Sequence, residues 1–145
     1  MIEIAKQDGR QLTPLQLIKL VYISHGWGFV FRNGEPLLNE PVQAWQYGPV
    51  VPSLYHAVRN YRSAPITGPV PGDSDPQALD DHAKELLKVV YNRYRHLSGT
   101  QLSALTHMED TPWSKAWNER GKNAVIDNAE VAKHYKKRFA ELSAK

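Results

Sequence analysis

The stretch from Thr13 to Phe31, "TPLQLIKLVYISHGWGFVF", limits what this chain can fold into more than any other. Thr13 followed by Pro14 is a helix start. The threonine hydroxyl accepts from a free N–H of the first turn, and proline has no N–H to leave unsatisfied there. Gln16, three residues after Thr13, completes a capping box. Beyond that first turn the helix is apolar almost all round, interrupted only by Lys19, Ser24 and His25. A helix with a polar face can lie on a surface, whereas one without it must be enclosed by other elements. The run is also too short and too interrupted to span a bilayer.

The rest of the chain supplies the enclosure. Val51-Pro52-Ser53 opens a second helix, with Leu54, Ala57, Val58 and Tyr61 at helical spacing. Asp75-Pro76 reads as the start of a long helix with Leu79, Ala83, Leu86, Leu87, Val90 and Tyr94 facing inward. Ser98 and Gln101 form a capping box for a short helix, and Thr111-Pro112 repeats the Thr-Pro start, with Trp113 and Trp117 one turn apart. Asp127 to Glu130 caps the final helix. There Tyr135, Phe139 and Leu142 make an apolar stripe, and Lys133, Lys136 and Lys137 fall outside it as a solvated face. "RNGEP" at 32–36 is a turn, since Asn-Gly favours positive φ. The short runs after it predict a small hairpin or ribbon, around Leu37-Leu38 and again at Val42–Gln46. Ser63 to Pro76 holds four prolines and two glycines and reads as a loop, the most mobile part of the chain. The expected fold is mainly α: one compact domain of about six helices around a central buried helix, with one small β-hairpin or ribbon. A length of 145 residues suits a single core.

Composition bears on function chiefly by exclusion. Without cysteine there are no disulfides and no thiolate zinc sites. "HME" at His107 imitates half of a zinc deaminase signature whose other half needs cysteines. His25, His56 and His107 have no metal-ligand spacing, and no HExxH, GxSxG, P-loop or GxGxxG occurs. No catalytic residue, metal or cofactor is assigned. The net charge of +3 permits nucleic-acid contact, but Arg59, Arg62, Arg93 and Arg95 are dispersed among tyrosines and form no recognition motif. "MIEIAKQDGR" lacks the apolar core of a signal peptide. The reading is a cytoplasmic protein with no membrane segment.

"VQAWQYGPVVPSLYHAVRNY", from Val42 to Tyr61, stands apart. It packs a tryptophan and three tyrosines around Gly48, Pro49 and Pro52, with Arg59 as its single full charge. That is the composition of an interface core. It is equally that of a rigid corner, with Gly48-Pro49 turning the chain and Trp45 and Tyr55 filling the interior.

The longer run "LIKLVYISHGWGFVFRNGEPLLNEPVQAWQYGPVVPSLYHAVRNY", with "LSALTHMEDTPWSKAW" later in the chain, resembles the Panacea antitoxin domain, also known as SocA-like or phage-associated GepA-like. The resemblance rests on Leu17–Leu20, His25–Trp27, Gly34–Leu37, Glu40-Pro41, Ala44-Trp45 and Tyr47 to Pro52 with Tyr55, and extends from Leu12 to Phe139. It implies the antitoxin of a toxin–antitoxin system, neutralising a cognate toxin, usually encoded in the adjacent gene, by direct protein–protein binding. In one branch of the family it implies an adaptor that hands the toxin to a Clp-type protease. Some members carry an accessory N-terminal domain. Only twelve residues precede the first predicted helix here, so none is expected. Together with the composition, the resemblance assigns Tyr47, Gly48, Pro49, Val50, Tyr55 and Arg59 to a partner-binding face, with Tyr47 at the interface and Trp45 in the core. The alternative reading is a phage- or mobile-element-associated nucleic-acid-binding regulator that uses the Lys-rich final helix.

Overall fold

The computed structural model describes residues 1–68, 70 and 79–144. Its centre is the helix opened by Thr13. This element, α2 (Pro14–Phe31), carries the full capping box, with the Thr13 hydroxyl accepting from the Gln16 N–H at 3.3 Å and the Gln16 side chain accepting from the Thr13 N–H at 3.0 Å. Residues Tyr22 to Phe29 are all buried, as an all-round apolar helix demands. Around it pack α3 (Pro52–Val58), α4 (Asp81–Tyr94), α5 (Gly99–Thr106) and α7 (Asn128–Ser143), while α6 (Pro112–Arg120) lies against α7. The Ser98, Thr111 and Asp127 caps form as their sequences predict. The architecture is mainly α and compact.

Close approach of α7 to α2 depends on a glycine. A Cβ on Gly26 would lie 2.2 Å from Cε2 of Tyr135, so the ring occupies the space that a side chain at this position would need. There Tyr135 meets Trp27 edge to face at 5.1 Å and Tyr22 at 6.4 Å. His25 is wholly buried on the same helix, and its ring is held at both nitrogens: Nδ1 accepts from the Leu38 N–H at 3.3 Å, so Nε2 donates to Asn128 Oδ1 at 3.1 Å. One histidine thereby ties α7 and the segment after the 32–36 turn to the core, and burial pushes its pKa below the ordinary histidine value. Asn33 and Gly34 take positive φ in that turn, as Asn-Gly predicts.

Four expectations are corrected. The chain forms a helix before Thr13: α1 (Ile2–Gln7) buries Ala5 and packs on α4, and Asp8 just beyond it accepts from the Tyr91 hydroxyl at 2.7 Å and from Arg95 at 3.0 Å. An amphipathic segment this short carries too little periodicity to be read alone, and its helicity comes from docking. Leu79 does not face inward. It is 38% exposed and precedes α4, whose N-cap is Asp80, accepting from the Ala83 N–H at 2.7 Å. The helix start read at Asp75-Pro76, and the end of the loop read from Ser63, lie outside the described residues.

The third and fourth corrections concern the β element and its corner. The hairpin joins β1 (Gln43–Trp45) to β2 (Gly48–Val50), and Leu37-Leu38 is not a strand. Gly48-Pro49 is accordingly part of a strand rather than the joint between ribbon and helix. Residues 123–126 run along the other side of β1, with Ala44 N–H donating to the Ala124 carbonyl and Asn123 N–H to the Ala44 carbonyl, both at 2.8 Å. Both backbone groups of Ala44 therefore point away from β2. Its partner there is Pro49, so the missing proline N–H falls at a position where the β1–β2 ladder has no bond to make.

Candidate partner-binding site

The hairpin is short, yet it is held on all sides by donors distant in sequence. The carbonyls of Trp45, Tyr47 and Pro49, every second residue, each accept from a different helix. Trp113 Nε1 of α6 donates to Trp45 at 2.6 Å, the Ser103 hydroxyl of α5 donates to Tyr47, and Lys19 Nζ of α2 donates to Pro49 at 2.9 Å. Gln46 and Tyr47 form the turn with ordinary negative φ, and Gly48 takes up the reversal at φ +115°. A side chain at Gly48 would be strained by that φ, and its Cβ would stand 3.0 Å from Lys19 Nζ and 3.2 Å from the Thr106 hydroxyl.

Lys19 is the least expected member of this arrangement. It is 0% exposed, and its one hydrogen bond among the described residues is to the Pro49 carbonyl, with no carboxylate beside it. Burial in apolar surroundings pushes its pKa down to about 7.

Held in this way, the turn projects Tyr47 outward at 66% exposure. Beside it runs a belt of aromatics, half-buried except for the exposed His56. Trp45 meets Tyr55 edge to face at 4.8 Å, Tyr55 meets His56 at 5.5 Å, His107 meets Trp113 at 5.3 Å, and Trp113 stacks on Trp117 at 5.2 Å. The Trp113–Trp45 hydrogen bond joins the two files.

Of the residues assigned from sequence to the partner-binding face, Tyr47 through Val50 come together in the hairpin, and Tyr55 reaches it through Trp45. Gly48, Pro49 and Val50 are buried, so they support the surface rather than touch a partner. Trp45 is half-buried, bridging core and surface, with its Nε1 donating to Gln43 Oε1 at 3.0 Å. Arg59 is exposed at the start of a 3₁₀ turn (Arg59–Tyr61), and no hydrogen bond or ion pair ties it to the hairpin among the described residues. Sequence reasoning missed Lys19, Ser103 and Trp113 as holders and Trp117 as part of the belt. For Lys19 a signal existed: a lone lysine in an all-round apolar helix needs a partner.

Among the described residues, no three or more histidine, aspartate or glutamate side chains gather as metal ligands, and His25, His56 and His107 do not converge. No helix among them is long and apolar enough to cross a membrane. Fold and site together define a helical domain that displays an aromatic hairpin on a rigid support. The chain belongs to the SocA-like antitoxin family: the family described as "Antitoxin SocA-like, Panacea domain" matches residues 17–114, a span that contains the hairpin and its three holders, Lys19, Ser103 and Trp113. The chain is also 30% identical over 138 residues to "Antitoxin SocA" of Caulobacter vibrioides (strain NA1000 / CB15N), covering 88% of this chain and 72% of that relative. No solved structure matches it.

Proposed function

We propose that this chain neutralises a cognate toxin, the product of an adjacent gene, by direct protein–protein binding in the cytoplasm, and that the Tyr47 hairpin with its aromatic belt is the binding face. Family membership supports the antitoxin role. The observation that carries the choice of face is Tyr47, 66% exposed on a turn whose neighbouring carbonyls are each held from a different helix. Tyrosine and tryptophan are the residues most often found as binding hot spots, because they bury large area with few rotatable bonds. Presenting one on an immobilised turn lowers the ordering cost of association. On this reading the protein works as a binding partner and not as a catalyst.

Co-expression with the neighbouring open reading frame is expected to rescue growth and to yield a co-purifying complex. Tyr47→Ala is expected to weaken that complex by about 2 kcal/mol, roughly thirtyfold in Kd, while leaving thermal unfolding nearly unchanged. A harmless neighbour, or a Tyr47→Ala protein that binds as tightly as the parent, refutes the reading. An adaptor that delivers the toxin to a Clp-type protease is distinguished by toxin half-life, which lengthens on deletion of the adaptor and is unaffected by loss of a direct inhibitor. The exposed Lys133, Lys136 and Lys137 of α7 favour a second reading, a nucleic-acid-binding regulator. Phosphate-mediated binding weakens steeply with salt, so an absence of binding at low salt removes it.

A further inference from the structure

β2 offers its surroundings very little to hold. The pairing of Ala44 with Pro49 turns the backbone groups of Gly48 and Val50 toward β1, and Pro49 has no N–H, so over these three residues the outer edge presents a single carbonyl, that of Pro49. The side chain that takes it is Lys19, wholly buried in α2. A buried ammonium with no counter-ion is a destabilising choice, and an unbranched apolar side chain such as methionine would occupy the same channel without the desolvation cost. What Lys19 holds therefore explains its presence better than what it contributes to stability.

We propose that Lys19 is the positioning residue of the partner-binding hairpin: by gripping the Pro49 carbonyl from within the central helix it sets the pose in which Tyr47 is presented. The inference rests on the hairpin being the binding face. Among the described residues nothing charged competes for the grip. From β2 the amine faces Gly48 and the Pro49 carbonyl, and from α5 the Thr106 hydroxyl stands against the same glycine; desolvation is the one cause of its lowered pKa. Because that pKa falls from 10.5 in the unfolded chain to about 7 in the fold, the cost of burying the charge is fully present below pH 7 and is relieved as pH rises toward 10.5.

The test is Lys19→Met, beside the parent and Tyr47→Ala, in three measurements. In the free protein, amide hydrogen exchange at Gly48 and Val50 is expected to accelerate at least tenfold. Affinity for the cognate toxin is expected to fall at least tenfold. The unfolding temperature at pH 6 is expected to be no lower than that of the parent, and the rise of parent stability between pH 7 and 10 is expected to flatten. A residue with only a structural role would lose unfolding temperature in step with affinity. Lys19→Leu, which likewise has no donor, carries the same test should the methionine variant fail to fold. Unchanged exchange at Gly48 and Val50 overturns the inference, as does full affinity in Lys19→Met when Tyr47→Ala has lost it. If Tyr47→Ala itself keeps full affinity, the binding-face reading falls instead, and the exchange measurement still reports whether Lys19 holds the hairpin.

Discussion

Replacing Gly26 by alanine sets two effects of opposite sign against each other. Alanine is the better helix former, and in an exposed helix the change would gain roughly 1 kcal/mol. Here the new methyl would lie 2.2 Å from Cε2, 2.4 Å from Cδ2 and 2.6 Å from Cζ of Tyr135, all far inside contact distance, so the ring must retreat by more than an ångström. Retreat loosens the edge-to-face contacts with Trp27 at 5.1 Å and Tyr22 at 6.4 Å, worth about 0.5–1.5 kcal/mol each. Forcing a methyl into a filled core adds about 1–3 kcal/mol of strain. With the helix gain subtracted, the expected net loss is about 1–5 kcal/mol, and the middle of that range lowers the unfolding temperature by roughly 10 °C in a domain of this size. Urea or thermal unfolding followed by tryptophan fluorescence measures it. The decisive control is the same substitution in a Tyr135→Leu background: with the ring gone, the sign is expected to reverse and Gly26→Ala to become neutral or stabilising. An equal loss in both backgrounds refutes the steric account.

Two further outcomes follow from the same geometry. Trp113→Phe keeps most of the stacking on Trp117 but removes the donor to the Trp45 carbonyl, so a stability loss of about 1 kcal/mol and a larger proportional loss of toxin affinity are expected; equilibrium unfolding and a binding titration separate the two. The folded pKa of His25 lies below its unfolded value, so the stability it confers is present above about pH 6.5 and is lost as pH falls through the folded value; Asn128→Asp, which sets a carboxylate against Nε2, is expected to raise that pKa in an NMR titration and to shift the acid limb of the unfolding curve, and an unmoved His25 resonance would contradict the assigned contact.

The legibility of the fold in its sequence depends on how local the signals are. A capping box lies within four residues and an apolar stripe within a few turns, so Thr13, Ser98, Thr111 and Asp127 mark their helices by local chemistry alone. Leu37-Leu38 reads as a strand and is not one, because an apolar pair beside an Asn-Gly turn is also what a packed loop looks like. The ladder goes instead to Gly48–Val50, where a glycine at positive φ follows a tight turn. At the site, composition singles out Tyr47 but leaves open whether it faces partner or core.

The sequence alone determined the enclosed central helix, and with it the mainly α architecture, because an all-round apolar face has no stable alternative to burial. It also determined that Gly48-Pro49 would be a special point of the backbone. The tertiary structure decided which side chain that point displays. Three helices donate to alternate carbonyls from Lys19, Ser103 and Trp113, separated from their acceptors by 30, 56 and 68 residues, and no local pattern announces contacts of that span. Hydrogen bonds of such reach exist only once the core has brought the helices together, so the exposure of Tyr47 and the partner that Lys19 takes are properties of the fold and not of the segments that carry them.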